Sequence, residues 1–294
     1  MTDFLVIPAP AFVGRGLKGT DQLPRALLDA GLAERLGAPV ADGPGPMTWS
    51  EDLDAVNERP PFDVIGAYLH HLADDVAAAF DQEHLPIVLG GDCTLLLGAA
   101  AACQRAKVDG LLFVDGHTDF WPLGKPDWET ASCDLGLVTG LSPGKIPYEL
   151  AKLSNGPPFD ASKVAAFGYR DGSDEGDLGD TLRRTTILQL PLTTIRHRGF
   201  GNTAAAALDR VASKGQRFWL HLDLDVLDDA IFSAVDYRIP DGLAPGEVVA
   251  LLRRARETGA LAGMTVTILN PTLDHDGRQA ALAVDLLAAG LSST

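Results

Sequence analysis

Short apolar runs alternate with amphipathic stretches along the chain, which is the pattern of a parallel β-sheet with helical crossovers. The apolar runs have the length of strands, and they end at glycine, proline or aspartate, residues that commonly stop a strand. This pattern predicts strands in FLVIPAP (4–10), LPIVLGGD (85–92), DGLLFVDGH (109–117), KVAAFGYRD (163–171), TTILQLP (185–191), QRFWLHLDLDV (216–226) and LAGMTVTILNP (261–271).

Between the strands, apolar residues recur every three or four positions, which predicts helices with one buried face. The predicted helical segments are 23–36, 61–84, 94–107, 203–215, 246–259 and 278–290. Segments rich in Gly, Pro and Asp predict surface loops at 41–46, 122–127 and 171–180. None of these loops has the length of a domain linker. We therefore predict one α/β domain over residues 1–294.

Polar side chains with chemical potential follow several of the predicted strands. In open parallel sheets the carboxyl ends of all strands lie along one edge, where ligands bind in a crevice. We therefore expect residues far apart in the sequence to converge there. They are Asp92 and Cys93, the segment Asp115 to Asp119, Arg170 and Asp171, the segment Asp223 to Asp228, and Asn270.

Two of these strand ends carry acidic or imidazole groups at alternate positions. Extended backbone places Asp115, His117 and Asp119 of DGHTD on one face, and Asp223 and Asp225 of HLDLDVLDD repeat the arrangement. One such motif alone is as well explained by a loop cap or a buried core residue. Together they concentrate more negative charge than a site tolerates without cations. The two motifs predict two divalent ions, with manganese suited to the oxygen-rich ligands and zinc, nickel or iron as alternatives.

Composition narrows the classes of partner. Forty acidic against 24 basic residues give a formal net charge of −16, which disfavours nucleic acid and anionic membranes as partners. No apolar stretch approaches the roughly 20 residues of a membrane span, and the N-terminus lacks the basic and apolar regions of a signal peptide. The cysteines are Cys93, Cys103 and Cys133, an odd number with no close pair. We expect a soluble cytoplasmic protein without a disulfide framework.

Five motifs in order resemble those of the ureohydrolases, the family of arginase, agmatinase and formiminoglutamase. GGDCTLLLG is similar to the family's Gly-Gly-Asp-His motif, DGHTD to Asp-Ala-His-x-Asp, and HLDLDVLDDA to Ser-x-Asp-x-Asp-x-x-Asp-Pro, while AAFGYRD and GMTVTILNP match two further segments. The resemblance implies a three-layer α/β/α fold around a parallel, arginase-like sheet of about eight strands, usually in a homo-oligomer. It also implies a two-manganese hydrolase that cleaves a guanidino or amidino C–N bond of a small molecule through a metal-bound hydroxide.

The same resemblance implies roles for individual residues. Asp115 and Asp223 would bridge the two ions. Asp119 would also orient the attacking hydroxide and pass its proton to the leaving nitrogen, as a positioned carboxylate can. The remaining ligands would be Cys93 and Asp119 at the first ion, and His117 and Asp225 at the second.

Some residues depart from the family pattern on the metal and proton-transfer side. Cys93 replaces a histidine, and a thiolate shifts preference from manganese toward zinc or iron. As an alternative, Cys93 is only a small buried residue. The family's proton-shuttling histidine falls near Ala131. His221 replaces a serine and is a second catalytic candidate, although a structural hydrogen-bonding role explains it equally well.

The substrate side departs further. A gap-free alignment puts Ile268 in place of the glutamate that clamps the guanidinium group, and Thr265 in place of another acid. Trp121 replaces an asparagine, and Ser173, beside Asp174, replaces an acid that holds a substrate amino group. Free arginine is therefore not the expected substrate. The alternative function is a non-catalytic or single-metal protein with a binding or regulatory role, and metal content discriminates between the two.

Overall fold

The computed structural model describes residues 3–13, 19–47, 60–124, 129–170 and 178–292. In these segments seven strands form one sheet, and every pair of neighbouring strands is parallel. The strands are β1 (Phe4–Pro8), β2 (Leu85–Leu89), β3 (Gly110–Val114), β4 (Val164–Phe167), β5 (Leu188–Leu190), β6 (Phe218–Asp223) and β7 (Leu261–Thr267).

All the strands that the apolar runs predict are present, and their order in the sheet is β1-β2-β7-β6-β3-β4-β5. The fold-class prediction is confirmed, with seven strands in the described part of the chain against the expected number of about eight. The chain passes from β2 to β3 across the positions of β7 and β6. This reversal of strand order is where open α/β sheets form their ligand crevice.

Helices connect the strands. The predicted segment 23–36 is divided into two helices at Gly31, which adopts the left-handed conformation that ends helices (φ 89°). Four short helices, α5 to α8, were not predicted, because fewer than two or three turns give too little periodicity to recognise. The helices are α1 (Leu23–Asp29), α2 (Leu32–Leu36), α3 (Phe62–Asp81), α4 (Leu95–Arg105), α5 (Asp134–Thr139), α6 (Tyr148–Ala151), α7 (Leu178–Arg183), α8 (Leu192–Arg198), α9 (Phe200–Val211), α10 (Pro245–Glu257) and α11 (Arg278–Leu291).

The sheet is the middle of three layers because side chains alternate between its two faces. In β3, Leu112 and Val114 join the apolar cluster that contains residues of α1, α2, α9, α10 and α11. Leu111 and Phe113 join the cluster on the opposite face, which contains residues of α3, α4, α5 and α6. Helices thus cover both faces of the sheet, as a continuous apolar strand requires.

The predicted loops have different outcomes. Residues 41–46 and 122–124 lie in no helix or strand, as predicted for loops. Residues 125–127 and 171–177 lie outside the described residues, whereas 178–180 begin α7. Within the described segments, no helix combines the length and apolar character needed to cross a membrane. The cysteines are all buried and form no disulfide.

Candidate metal centre

Three strand ends bring the candidate ligands together. Asp115 directly follows β3, Asp223 is the last residue of β6, and Cys93 lies in the turn that joins β2 to α4. All three side chains are almost completely buried. The β3 and β6 strands are direct neighbours, and β7 separates β6 from β2. The parallel sheet therefore collects these groups at one edge, as expected from the sequence.

The DGHTD loop is folded by its own backbone and by the neighbouring β6 loop. Asp115 Oδ1 accepts the His117 N–H at 2.6 Å, and Asp225 Oδ1 accepts the Gly116 N–H at 2.9 Å. A Cβ atom on Gly116 would lie 2.6 Å from Asp225 Oδ1 and would also clash with Arg170. Position 116 therefore accepts only glycine without local rearrangement.

One group of potential ligands is formed by Asp115, His117 and Asp225. One donor atom from each lies within 4.8 Å of the others. His117 Nδ1 is 2.8 Å from Asp225 Oδ2 and 3.8 Å from Asp115 Oδ1. Asp223 Oδ1 accepts the Asp225 N–H at 2.7 Å, which holds the second acidic pair in its turn.

A second group shares Asp115 with the first. It contains Cys93, Asp115, His221 and Asp223, whose donor atoms also lie within 4.8 Å of one another. The Cys93 Sγ–H donates to Asp223 Oδ2 at 2.8 Å. Two groups joined by one carboxylate are the arrangement that a pair of neighbouring ions requires.

Asp119 lies with a residue that the sequence analysis missed. Cys93, Asp119 and Asp134 form a third group with donor atoms within 4.8 Å of one another. Asp134 is the first residue of α5 and follows no strand, so the positions of the strand ends do not predict it. The only available signal was an acid inside CDLGLVT, a segment that is otherwise suited to burial. Asp119 itself has left-handed backbone (φ 44°), a conformation that is uncommon outside glycine and clusters at functional sites.

Burial controls the protonation of these acids when no cation is bound. It raises the pKa of Asp115, Asp134 and Asp223 well above the ordinary value, and nearby carboxylates raise it further. Burial also acts to raise the pKa of Asp225, but the His117 imidazole outweighs it, with help from Arg170, and the pKa is lowered. The pKa of the Cys93 thiol is raised by burial and by the surrounding acids.

His221 lies under the site in the middle of β6. It is fully buried, its ring stacks on Phe113 at a centroid distance of 5.0 Å, and Nδ1 is 2.7 Å from Thr265 Oγ1. Burial lowers the pKa of His221 to about 3, so the imidazole is neutral near pH 7, which is the form that binds a metal. Its assignment to proton transfer stays a prediction.

Unpartnered atoms test whether these residues fit a metal. Asp115 Oδ2, both Asp134 carboxylate oxygens and His221 Nε2 are buried and make no hydrogen bond within the described residues. Buried polar atoms are normally paired or bound to a metal. Carboxylate oxygens, imidazole nitrogens and one sulfur are also a donor set for divalent ions. The residues therefore fit a metal centre.

Several residues singled out in the sequence have structural contacts instead. The Asp92 carboxylate accepts the backbone N–H groups of Val13 and Thr94, which shapes the turn before α4. Arg170 donates to two backbone carbonyls, and the Asn270 amide donates to Asp236 Oδ1 at 2.6 Å.

The residues that replace the family's substrate-binding and proton-shuttling groups lie in different surroundings. Ile268 is buried with left-handed backbone (φ 69°), which is strained for a β-branched residue. Thr265 serves as the partner of His221, and Ala131 lies in a single 3₁₀ turn, Ala131–Cys133, directly before α5. Ser173 and Asp174 lie outside the described residues.

Known proteins are similar to this chain in sequence and fold. The sequence model of the Arginase family matches residues 2–291. The arginase of Brucella melitensis is 27% identical over 301 residues, which covers 97% of this chain and 94% of that protein. The solved arginase of Bacillus caldovelox has a TM-score of 0.87 at 21% identity, covering 100% of this chain and 99% of its own. A formiminoglutamase of Trypanosoma cruzi, solved with Mn²⁺, has a TM-score of 0.73 at 18% identity, covering 99% and 92%.

Proposed function

Since the chain belongs to the arginase family, we propose that it is a metal-dependent hydrolase that cleaves a C–N bond of a small guanidino-like or amidino-like molecule. The observation that carries this proposal is the pair of donor groups that share Asp115. Such a shared carboxylate suits two ions held side by side. Fold alone does not fix a substrate, so the reaction is argued from the site.

The proposed ligands divide between two positions. Asp115 and Asp223 would contribute to both. Cys93 and Asp119 would hold the first ion, and His117 and Asp225 would hold the second. Manganese is the first candidate, and the Cys93 thiolate admits zinc, iron or nickel. The chemistry that two such ions supply is Lewis acidity, which lowers the pKa of a coordinated water and makes hydroxide available near neutral pH.

Asp119 is the proposed acid and base of the reaction. Its carboxylate lies at the candidate metal centre on left-handed backbone, and a positioned carboxylate can orient a nucleophile and carry its proton to the leaving nitrogen. His221, which replaces a serine of the family, is the second candidate for proton transfer. Its burial beneath the centre supports a contribution to positioning the first ion as well.

The proposed substrate is less cationic or more aromatic than free arginine. Ile268 offers no carboxylate to a guanidinium group, and burying an unpaired cation against it would be costly. Trp121 presents a partly exposed aromatic side chain at the position of an asparagine in the family. Such a pocket favours an apolar or aromatic group on the substrate.

A substrate screen with metal analysis tests the proposal. The purified protein, loaded with Mn²⁺ or Zn²⁺, is incubated with guanidino, amidino, formimino and ureido compounds, and released urea, ammonia or amine is measured. We expect turnover of at least one compound, little turnover of arginine, and loss of turnover in Asp119→Asn. A protein that binds ions but releases no product from any class would instead support the binding or regulatory alternative.

A further inference from the structure

One buried acid next to the metal centre has no partner that explains its burial. Asp134 is completely buried, and neither of its carboxylate oxygens makes a hydrogen bond of normal geometry within the described residues, although the adjacent Leu135 N–H favours its charged form. Acids in this situation are normally hydrogen-bonded, paired with a charge or bound to a metal. A buried acid with no such role carries a desolvation cost that an apolar residue of similar size avoids.

The Asp134 carboxylate points at potential metal donors from two other segments. One of its oxygens lies within 4.8 Å of both Cys93 Sγ and a carboxylate oxygen of Asp119. Asp134 Oδ2 is also 3.9 Å from His221 Nε2, another buried atom with no hydrogen bond to the part of the chain that the structure describes. The turn after β2, the loop after β3 and the start of α5 therefore direct potential metal donors at one small volume.

A direct pair between Asp134 and His221 does not account for this arrangement. Their separation of 3.9 Å exceeds the length of a hydrogen bond. The other ring nitrogen of His221 is already engaged by Thr265 at 2.7 Å. A cation bound among these side chains could be a ligand partner for both Asp134 and His221. A direct hydrogen bond between Asp134 and His221 would still leave the second Asp134 oxygen without a partner in the described residues.

We infer that Asp134 is a metal ligand that completes the coordination of the ion held by Cys93 and Asp119. The inference deepens the proposed function and rests on it. Cys93 replaces the histidine that the ureohydrolase resemblance implies. Asp134, from α5, would supply a further ligand to the same ion. A set of one thiolate and several carboxylates is softer than an all-oxygen set, so the first position should prefer zinc, cobalt or iron to manganese.

Cobalt titration tests the inference without relying on activity. Co²⁺ bound by a thiolate gives a charge-transfer absorption band, so the band reports ligation by Cys93. In the wild type we expect two tightly bound Co²⁺ ions and a band that grows with one of them. In Asp134→Asn we expect that ion to bind more than about 100-fold more weakly, because loss of a ligand should exceed the tenfold to 100-fold cost of changing an outer partner.

A matched control separates ligation from general disturbance. Asp274 is another buried acid, and its oxygens accept backbone N–H groups at the start of α11. Asp274→Asn should keep both ions and the band. If Asp134→Asn behaves like this control, the inference is wrong. It is equally wrong if the affinity for this ion falls only by the tenfold to 100-fold that changing an outer partner costs, because Asp134 then acts outside the coordination sphere.

A crystal structure of the zinc-loaded wild type gives a second test that needs no variant. We expect an Asp134 oxygen about 2.0–2.2 Å from the ion that Cys93 Sγ binds at about 2.3 Å. Zinc bound by Cys93 with Asp134 turned away overturns the inference and leaves the proposed function intact. A wild-type protein that binds no ion overturns both.

Discussion

At the residue scale, several potential ligand atoms of the metal centre lack the hydrogen bonds within the described residues that would take the place of a bound cation. Asp115 Oδ2 is buried and makes no hydrogen bond among the residues that the structure describes, although Asp115 Oδ1 accepts the His117 N–H. Burial and neighbouring acids disfavour ionisation of Asp115 and Asp223, which raises their pKa. A divalent ion reverses this effect because ligands bind in their deprotonated form.

Replacing Cys93 by histidine tests its role in metal preference. Cys93→His restores the donor that the family resemblance expects, and an imidazole suits manganese better than a thiolate does. We expect the affinity for Mn²⁺ at the first position to rise at least about tenfold relative to Zn²⁺, a change of the size seen when the surroundings of a metal are altered. Competitive titration with the two metals measures the ratio.

Cys93→Ser serves as the control, because it keeps the size of the side chain but removes the thiolate. It should weaken Zn²⁺ without improving Mn²⁺. Unchanged stoichiometry and unchanged preference in both variants would show that Cys93 is a packing residue, the alternative left open by its burial.

At the element scale, the sequence predicted the elements whose surroundings impose a clear period. Strands buried on both faces are continuous apolar runs, and long helices such as α3 show an apolar stripe, so both were found. The helix α5 was missed because all six of its residues are buried and no polar face marks it. Asp134 was missed with it, since its position in the centre depends on tertiary packing rather than on a strand end.

Close packing between β6 and β7 leads to a stability prediction. A Cβ atom at Gly263 would clash with the Trp219 ring and lie 2.9 Å from the Pro86 carbonyl oxygen. Trp219 is completely buried, so the ring cannot move into solvent. Gly263→Ala should lower the free energy of unfolding by about 1–3 kcal/mol, the usual cost of overpacking a core.

Gly246, near the start of α10, is the matched control because an added Cβ would meet no atom within 4 Å. Gly246→Ala should be neutral or stabilise the protein by up to about 1 kcal/mol, since alanine has the higher helix propensity. Denaturant unfolding of both variants measures the difference. Equal stabilities would contradict the packing of β7 described above.

At the scale of the whole molecule, stability should depend on pH through the metal centre. Asp115, Asp134 and Asp223 have a raised pKa in the metal-free fold, so the stability they contribute is complete below their unfolded value of 3.8 and is lost as pH rises. His221 acts in the opposite direction only below its unfolded pKa of 6.5, because its folded pKa is about 3.

Above pH 6.5 His221 no longer contributes, and the balance shifts through groups with a raised pKa, which include the buried acids and the thiols of Cys93, Cys103 and Cys133. We expect the melting temperature of the metal-free protein to fall as pH rises above 6.5 and through the raised pKa of these groups. The increase caused by saturating metal should widen over the same range, because binding requires deprotonated ligands. Thermal scans with and without chelator measure both trends. A metal-free melting temperature that rises with pH would contradict the protonation states assigned to the acids.

The central claim is that residues from separate strand ends hold two divalent ions around Asp115. Equilibrium dialysis of the metal-free protein against Mn²⁺ and Zn²⁺, followed by elemental analysis, tests it most directly. The account predicts two ions per chain in the wild type and a loss of both in Asp115→Asn, because that side chain belongs to both donor groups. One ion or none in the wild type, or two ions retained in Asp115→Asn, would contradict it.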